Sequence, residues 1–314
     1  MSAAAKSVAL FDRLPSVRGS YQTGYPLSRI TWFKVGGAAD VLFRPTDADD
    51  LAAFLAGCPI DIPVTVLGVG SNILVRDGGV RGVVVRLGRG FMNIAVNEAQ
   101  IAAGGGALDI NIARLAADAR LAGLEFLSGI PGTIGGAVRM NAGAYGGDIG
   151  GALDAVTLLD RAGEQTTLGR DALSFAYRQS RLPPGSIVVG CTLTAIPGDP
   201  AAIRTRMAEI KQAREATQPV RTRTGGSTFR NPGGPDGDAP RAWQLIEEAG
   251  CRGLTRGGAM VSPVHCNFLE NTGQASAADL EALGEEARQR VADKSGVHLQ
   301  WEIERIGDPI RGMP

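Results

Sequence analysis

Nine glycines fall between Gly129 and Gly151, and this stretch constrains the fold more than any other feature of the chain. A residue without a Cβ supplies tight turns and lets other groups approach the main chain closely. The stretch begins Ser128-Gly129-Ile130-Pro131-Gly132-Thr133-Ile134-Gly135-Gly136 and runs on through Asn141-Ala142-Gly143-Ala144-Tyr145-Gly146. A plain turn does not need four glycines and a Pro-Gly across eight residues. Curled backbone of this kind presents N–H groups to an anion, so a cradle for a long ligand with a charged middle, such as a dinucleotide, fits the pattern. Glycine-rich packing between sheets is the alternative reading.

A second glycine element precedes it. The apolar run Pro63-Val64-Thr65-Val66-Leu67 reads as a strand and leads straight into Gly68-Val69-Gly70-Ser71-Asn72. The element has neither the third glycine of a Rossmann fingerprint nor the Gly-Lys-Ser/Thr of a P-loop. A phosphate cradle and an ordinary tight turn both suit it.

Composition narrows the functions available. At 314 residues the chain is long enough for two or three packed domains. Lys and Arg number 32 against 32 Asp and Glu, so no global field draws it to nucleic acid or to a membrane surface. Cys58, Cys191, Cys251 and Cys266 are scattered, with no C-x-x-C pair and no histidine at zinc spacing, so no metal site is expected. His265 and His298 are the only histidines, which leaves few candidates for a nucleophile-histidine set. Lys6 and Asp12 bracket an apolar stretch too short for a signal core, and no run reaches membrane-span length, so a cytoplasmic location is expected.

Elsewhere the pattern predicts a helix over 46–57 capped by Thr46 or Asp47, a buried strand at 83–85, and a helix from Asp109 to about Leu121 stopped by Gly123. Strands are expected at 156–159 and 187–194. Asp199-Pro200 opens a helix running to about Ala216. Gln218 to Asp238 reads as linker plus loop. Helices follow near 241–249 and from Ser276, with Asp279 completing a capping box, and a strand over 297–306 alternates strictly. The expected division is an N-terminal segment 1–29, a domain 30–217 in lobes of about 30–87 and 88–217, and a C-terminal domain 218–314.

Four further residues have an ordinary reading on spacing alone. Arg178 suits a surface salt bridge, Ser227 after Gly225-Gly226 suits a turn, Glu302 suits a solvated strand face, and His265 suits hydrogen-bonded structure. Taken in order, however, the two glycine loops, Asn141 to Gly146, Tyr177-Arg178, Gly226-Ser227-Thr228-Phe229-Arg230-Asn231-Pro232 and Gly296-Val297-His298-Leu299 onward resemble the UDP-N-acetylenolpyruvoylglucosamine reductases. The ordered match spans about Ile30 to Gly307.

The resemblance implies an α+β chain with a two-lobed FAD-binding domain of the vanillyl-alcohol-oxidase type and a smaller C-terminal α+β substrate domain. It implies non-covalent FAD held by Gly68, Gly70, Ser71, Asn72, Ile73, Gly129, Pro131, Gly132, Thr133, Gly136, Asn141 and Gly143. NADPH would be the hydride donor, a UDP-sugar the substrate, and the enzyme a monomer. Arg178 would be the cation that steadies charge developing beside the substrate carboxylate. Glu302 would assist, and Ser227 would donate a proton to the α carbon. Arg223, Arg230 and Asn231 carry donors suited to the diphosphate, although lysine is more usual where Arg230 stands. The few residues between Arg178 and Ile187 leave no room for a tyrosine-bearing insertion, which places the chain in the shorter branch. Glu304, two residues on, is the alternative acid. An oxidase of alcohols or sugars with the same cofactor domain, and a non-catalytic nucleotide-sensing module, are the competing readings.

Overall fold

A computed structural model describes residues 10–234, 237 and 239–310 of the chain. Lys6 and Asp238, which bound features of the sequence reading, lie outside the described residues. The fold divides into two compact units, one formed by residues 1–23, 41–68 and 82–214, the other by 24–40, 69–81 and 215–314.

The first unit holds two cores. One lies against a five-stranded antiparallel sheet whose spatial order is Gln165–Gly169, Leu153–Leu159, Ile187–Thr194, Gln100–Gly104 and Ile94–Asn97. Ile112, Leu127, Ile134, Val156 and Leu193 are among its fully buried residues. Burial of such side chains contributes roughly 1.5–3 kcal/mol each. The other core gathers Val41, Phe43, Phe54, Val83 and Val85, with Phe43 and Phe54 ring centroids 4.6 Å apart. Helix Ala48–Gly57 supplies Leu51 and Phe54 to it. Of the two cap candidates it is Asp47 whose side chain accepts from the Asp50 amide.

The helix from Asp109 ends at Asp118, short of Leu121. Arg120 takes left-handed backbone with φ 61 and stops it, and Leu121–Ala122 pairs with Ile196–Pro197. An arginine in that conformation carries no glycine-like signal, so Gly123 drew the expected boundary too far. The helix Pro200–Thr217 begins as expected, with Asp199 accepting from the amides of Ala201 and Ala202.

The second unit is built on a four-stranded antiparallel sheet in the order Arg223–Ser227, Phe268–Asn271, Ala259–Val261 and Thr255–Arg256. The segment expected as linker and loop therefore contains a strand. Its Gly225-Gly226 pair masks the strand signal and falls where the register shifts between Thr224 and Ser227. Helix Ala277–Ser295 packs Leu280, Leu283, Ala287 and Val291 into the core, and Ser276 and Asp279 close the capping box.

Two further differences come from long-range pairing. Residues 297–303 are not a regular strand, and only Glu304–Ile306 is, paired in parallel with Ile73–Val75. The alternation survives as burial, since Leu299 and Ile303 are 3% and 2% exposed while His298 and Gln300 face solvent. Residues 24–40 and 69–81 group with the C-terminal part rather than with 41–68, so the compact units cut the chain differently from the boundaries at 29/30 and 217/218. The reason is burial: Phe33, Val35 and Leu74 share one core with Leu245, Leu280 and Ile303.

Candidate active site

In the first unit, Ser174–Ala176 and Gln179–Arg181 pair with Ala176 opposite Gln179, which makes Tyr177-Arg178 a two-residue turn. Short hairpin turns call for positive φ. Here Arg178 takes it, at φ 55. Its Nη1 donates to the Gly143 carbonyl at 2.9 Å, and the guanidinium carbon lies 5.2 Å from the Tyr177 ring centroid. The base of the hairpin is tied down by side chains. Asn141 Nδ2 donates to the Ala176 carbonyl at 3.0 Å, and the Ser180 hydroxyl donates to the Arg139 carbonyl at 2.7 Å.

Asn141 was expected to touch the cofactor. Its side chain bonds within the protein: Oδ1 also accepts from the Gly150 amide at 2.8 Å, and the residue is 3% exposed. With φ 47 it closes the helix Ile134–Met140. It supports the hairpin that carries Arg178.

The glycines of the second loop separate into two kinds. A Cβ on Gly129 would lie 2.5 Å from the Tyr145 ring, and one on Gly143 would lie 2.7 Å from the Asp148 Cβ. Gly135 would meet the Gly105 carbonyl at 2.7 Å. Packing accounts for these three. Gly136 is different, because its nearest neighbour would be the Thr133 hydroxyl at 3.8 Å. Absence of a side chain there keeps backbone open, as close approach by a pyrophosphate requires. The Gly132 carbonyl accepts from the Asp109 amide, Thr133 bridges to Leu108, and Pro131 lies just ahead of both. A Cβ on Gly68 would strike the Thr133 hydroxyl at 2.7 Å. The residues present thus fit FAD.

Asp109, just behind that loop, is fully buried, and neither carboxylate oxygen has a hydrogen-bond partner among the described residues. Burial pushes its pKa well above the ordinary carboxylate range.

In the second unit, the rest of the first glycine loop lies near Gly226 and Glu302. Gly70 has φ 69, and a Cβ on it would fall 2.6 Å from the Ile30 carbonyl, so only glycine fits. Ser71 places its carbonyl 4.0 Å from where a Gly226 Cβ would stand. Asn72 Nδ2 donates to the Glu302 carbonyl at 3.2 Å, the Asn72 carbonyl accepts from the Glu304 amide, and Ile73 stands opposite Glu304. On the other side, the Glu302 amide donates to the Thr228 carbonyl at 2.8 Å. Glu302 is half-buried beside the Ser227 strand, whereas Glu304 is exposed.

Asn267, which the sequence did not single out, holds this strand in place. Its Oδ1 accepts from the Phe229 amide at 2.9 Å and its Nδ2 donates to the Phe229 carbonyl at 2.8 Å. Its own carbonyl accepts from the Thr228 amide, and its amide donates to His265 Nδ1 at 3.2 Å. His265 is thus structural, and burial lowers its pKa. An asparagine in His265-Cys266-Asn267-Phe268 carries no local mark of such a role.

Of the expected diphosphate residues, Arg223 is exposed at the start of the strand, opposite Asn271. Arg230 carries a buried Nε for which no acceptor is present among the described residues. The Thr228 hydroxyl is likewise buried without a partner. Such atoms cost about 1–3 kcal/mol each when left unmet. Asn231 accepts from the Ala242 amide at 3.1 Å, at the start of helix Ala242–Glu248.

Residues 39–169 match the family model of an FAD binding domain, and residues 218–306 match that of the UDP-N-acetylenolpyruvoylglucosamine reductase C-terminal domain. The chain is 56% identical over 307 residues to the UDP-N-acetylenolpyruvoylglucosamine reductase of Parvibaculum lavamentivorans, covering 98% of this chain and 97% of that one. It is 56% identical to the Acidiphilium cryptum protein of the same name, over 95% of each chain. The crystal structure of the Thermus caldophilus UDP-N-acetylenolpyruvylglucosamine reductase is similar with a TM-score of 0.78 at 36% identity, covering 93% of this chain and 100% of that one.

Proposed function

The chain belongs to the UDP-N-acetylenolpyruvoylglucosamine reductase family, and on that premise we propose how its residues carry out the reaction. It is an FAD-dependent oxidoreductase that uses NADPH to reduce UDP-N-acetylglucosamine enolpyruvate to UDP-N-acetylmuramate in peptidoglycan precursor synthesis. Its fold is an FAD-binding domain of the vanillyl-alcohol-oxidase type with a smaller α+β domain. We assign the cofactor domain to 30–217 and the substrate domain to 218–314, after an N-terminal segment 1–29. The enzyme acts as a cytoplasmic monomer without nucleic-acid or membrane partners, and its product feeds cell-wall biogenesis and hence cell shape and division. No helix among the described residues is long and apolar enough to cross a membrane.

Bound FAD would supply the relay of hydride from NADPH to the terminal enol-ether carbon. The protein must then manage negative charge on the carbon α to the carboxylate. Arg178 supplies a fixed cation for the carboxylate oxygens onto which that charge spreads, oriented by its bond to the Gly143 carbonyl. Glu302 assists as the acid of the reaction. Ser227 Oγ–H gives its proton to the α carbon, whose basicity makes a weak acid sufficient, and regains one from solvent. Gly68, Gly70, Ser71, Asn72, Ile73, Gly129, Pro131, Gly132, Thr133, Gly136, Asn141 and Gly143 form or support the FAD site. Arg223, Arg230 and Asn231 take the diphosphate.

The observation that best supports this assignment is the Glu302 amide bond to Thr228, which sets the acid beside the serine strand. The deciding experiment is a flavin spectrum of the purified protein and an NADPH assay with and without the enolpyruvyl sugar nucleotide. A yellow protein whose NADPH consumption requires that substrate is expected. A colourless protein that FAD cannot reconstitute would sink the assignment, and yellow colour retained after acid precipitation would favour the covalent oxidase.

A further inference from the structure

We infer that Trp301 and Glu285 are positioning residues that set Glu302 relative to Ser227, an inference that rests on the reaction proposed above. Adjacent residues in extended chain point to opposite sides. Trp301 is therefore the lever opposite Glu302, and its indole is held on several sides. Its Nε1 donates to Glu285 Oε1 at 2.7 Å. The Arg305 guanidinium carbon stands 4.4 Å from the ring, and the Phe229 ring lies 5.0 Å away centroid to centroid. The remaining edge fills a notch that exists only because residue 284 is glycine, since a Cβ there would come within 2.3 Å of the indole.

The clamp reaches both catalytic segments. Phe229, two residues beyond Ser227, pairs with Trp301 in a β-bridge. The Arg230 amide donates to the Gln300 carbonyl at 2.8 Å, and the Glu302 amide donates to Thr228. Glu285 is itself braced. Arg305 Nη1 donates to Glu285 Oε1 at 3.0 Å and to Glu281 Oε1 at 2.9 Å, and Arg76 grips Glu281 with two bonds of 2.9 and 2.8 Å. Glu281 and Glu285 lie one turn apart on helix Ala277–Ser295, so the helix, the Arg76 segment and the strand after Glu302 are tied at one place. Core packing alone does not need this arrangement. The indole N–H bond and two arginines fix a direction, which is what a carboxylate that must meet a substrate requires.

The two half-reactions separate positioning from folding. In the holoenzyme, Trp301→Phe keeps a ring against Phe229 and removes the N–H. It is expected to slow flavin reoxidation by the enolpyruvyl sugar nucleotide on the order of tenfold, as a small misplacement of a reacting group does. Flavin reduction by NADPH should be unchanged. Glu285→Leu should reproduce the defect, and Glu285→Gln, which still accepts from the indole, should restore most of the rate. The Glu285 side chain is 42% exposed, so these variants do not depend on repacking the core. Ser227→Ala run alongside separates the two ideas. Slow reoxidation in Ser227→Ala with normal reoxidation in Trp301→Phe and Glu285→Leu would overturn the positioning role alone. Normal reoxidation in Ser227→Ala would overturn the underlying reaction assignment. Equal loss of both half-reactions in the Trp301 and Glu285 variants would make the clamp merely structural and would also overturn the inference.

Discussion

Arg178 and Ser227 each rest on one buried asparagine, and the two supports work differently. Asn141 joins separate segments: it grips the Ala176 carbonyl under the Arg178 hairpin and the Gly150 amide in the next helix. Asn267 grips a single residue twice, meeting both the amide and the carbonyl of Phe229 as a neighbouring strand would. Beyond Asn267, the Ser227 strand keeps main-chain bonds from Arg230 to Gln300 and from Glu302 to Thr228. The Arg178 hairpin depends more on side-chain ties, and its turn places an arginine in left-handed backbone. A hairpin held by side chains sets a cation's position at the expense of robustness, whereas a strand held by backbone keeps its geometry when one side chain is lost.

The largest effects test the proposed catalytic residues themselves. Ser227→Ala and Arg178→Ala should each lower turnover about a hundredfold or more, the usual loss when a donor to developing charge is removed. In stopped flow, Ser227→Ala should still be reduced by NADPH and fail at reoxidation. Wild-type turnover in either variant would end the assignment for that residue.

The asparagines come next and are expected to fail in opposite ways. Asn267→Ala leaves two buried main-chain groups of Phe229 unpaired, so stability should fall by about 2–6 kcal/mol at roughly 1–3 kcal/mol per group. Chemical denaturation should show this while the folded enzyme keeps a turnover within a few-fold of normal, because the backbone bridges remain. Asn141→Ala should lower kcat on the order of tenfold through misplacement of Arg178, with a smaller loss of stability. If Asn141→Ala proved the more destabilising and Asn267→Ala the less active, the contrast between the two supports would be wrong.

The smallest effect concerns Asp109, the buried carboxyl of the first unit that has no hydrogen-bond partner among the described residues. Burial raises its pKa in the folded state above the ordinary value of 3.8. The folded protein therefore binds this proton more tightly than the unfolded chain does. The stability contributed by the neutral acid is fully present below that ordinary value and is lost as pH rises from there through the folded value. Asp109→Asn should raise the melting temperature at pH 7, by about 1 kcal/mol in stability if the cost of an unmet buried polar group is partly relieved. The gain should disappear near pH 3.5. A gain independent of pH would mean that folding does not perturb the Asp109 carboxyl.

Much of this arrangement was legible in the residues. Strand Ile187–Thr194, the Asp47, Asp199 and Ser276 caps, and the buried stripe Leu280, Leu283, Ala287 and Val291 follow from local periodicity and capping chemistry. The ordered motifs that carry the family resemblance are equally local, which is why the resemblance could single out Arg178, Ser227 and Glu302 from the sequence. The strand 297–306 shrank to Glu304–Ile306 because alternation encodes which side is buried and not which backbone will pair. The ties made by Asn267, Glu285 and Trp301 carry no local mark, since their partners lie between 16 and 38 residues away in the chain.

By itself, the sequence determined most helix starts, the places where glycine lets backbone approach closely and the chemistry of the site residues, because those depend on neighbours within a turn or a strand. Tertiary structure decided which glycines serve packing and which leave room for a ligand, which of Glu302 and Glu304 stands beside Ser227, and which segments share a core. Each of those is a question of what lies across space, and only burial and pairing between distant segments answer it.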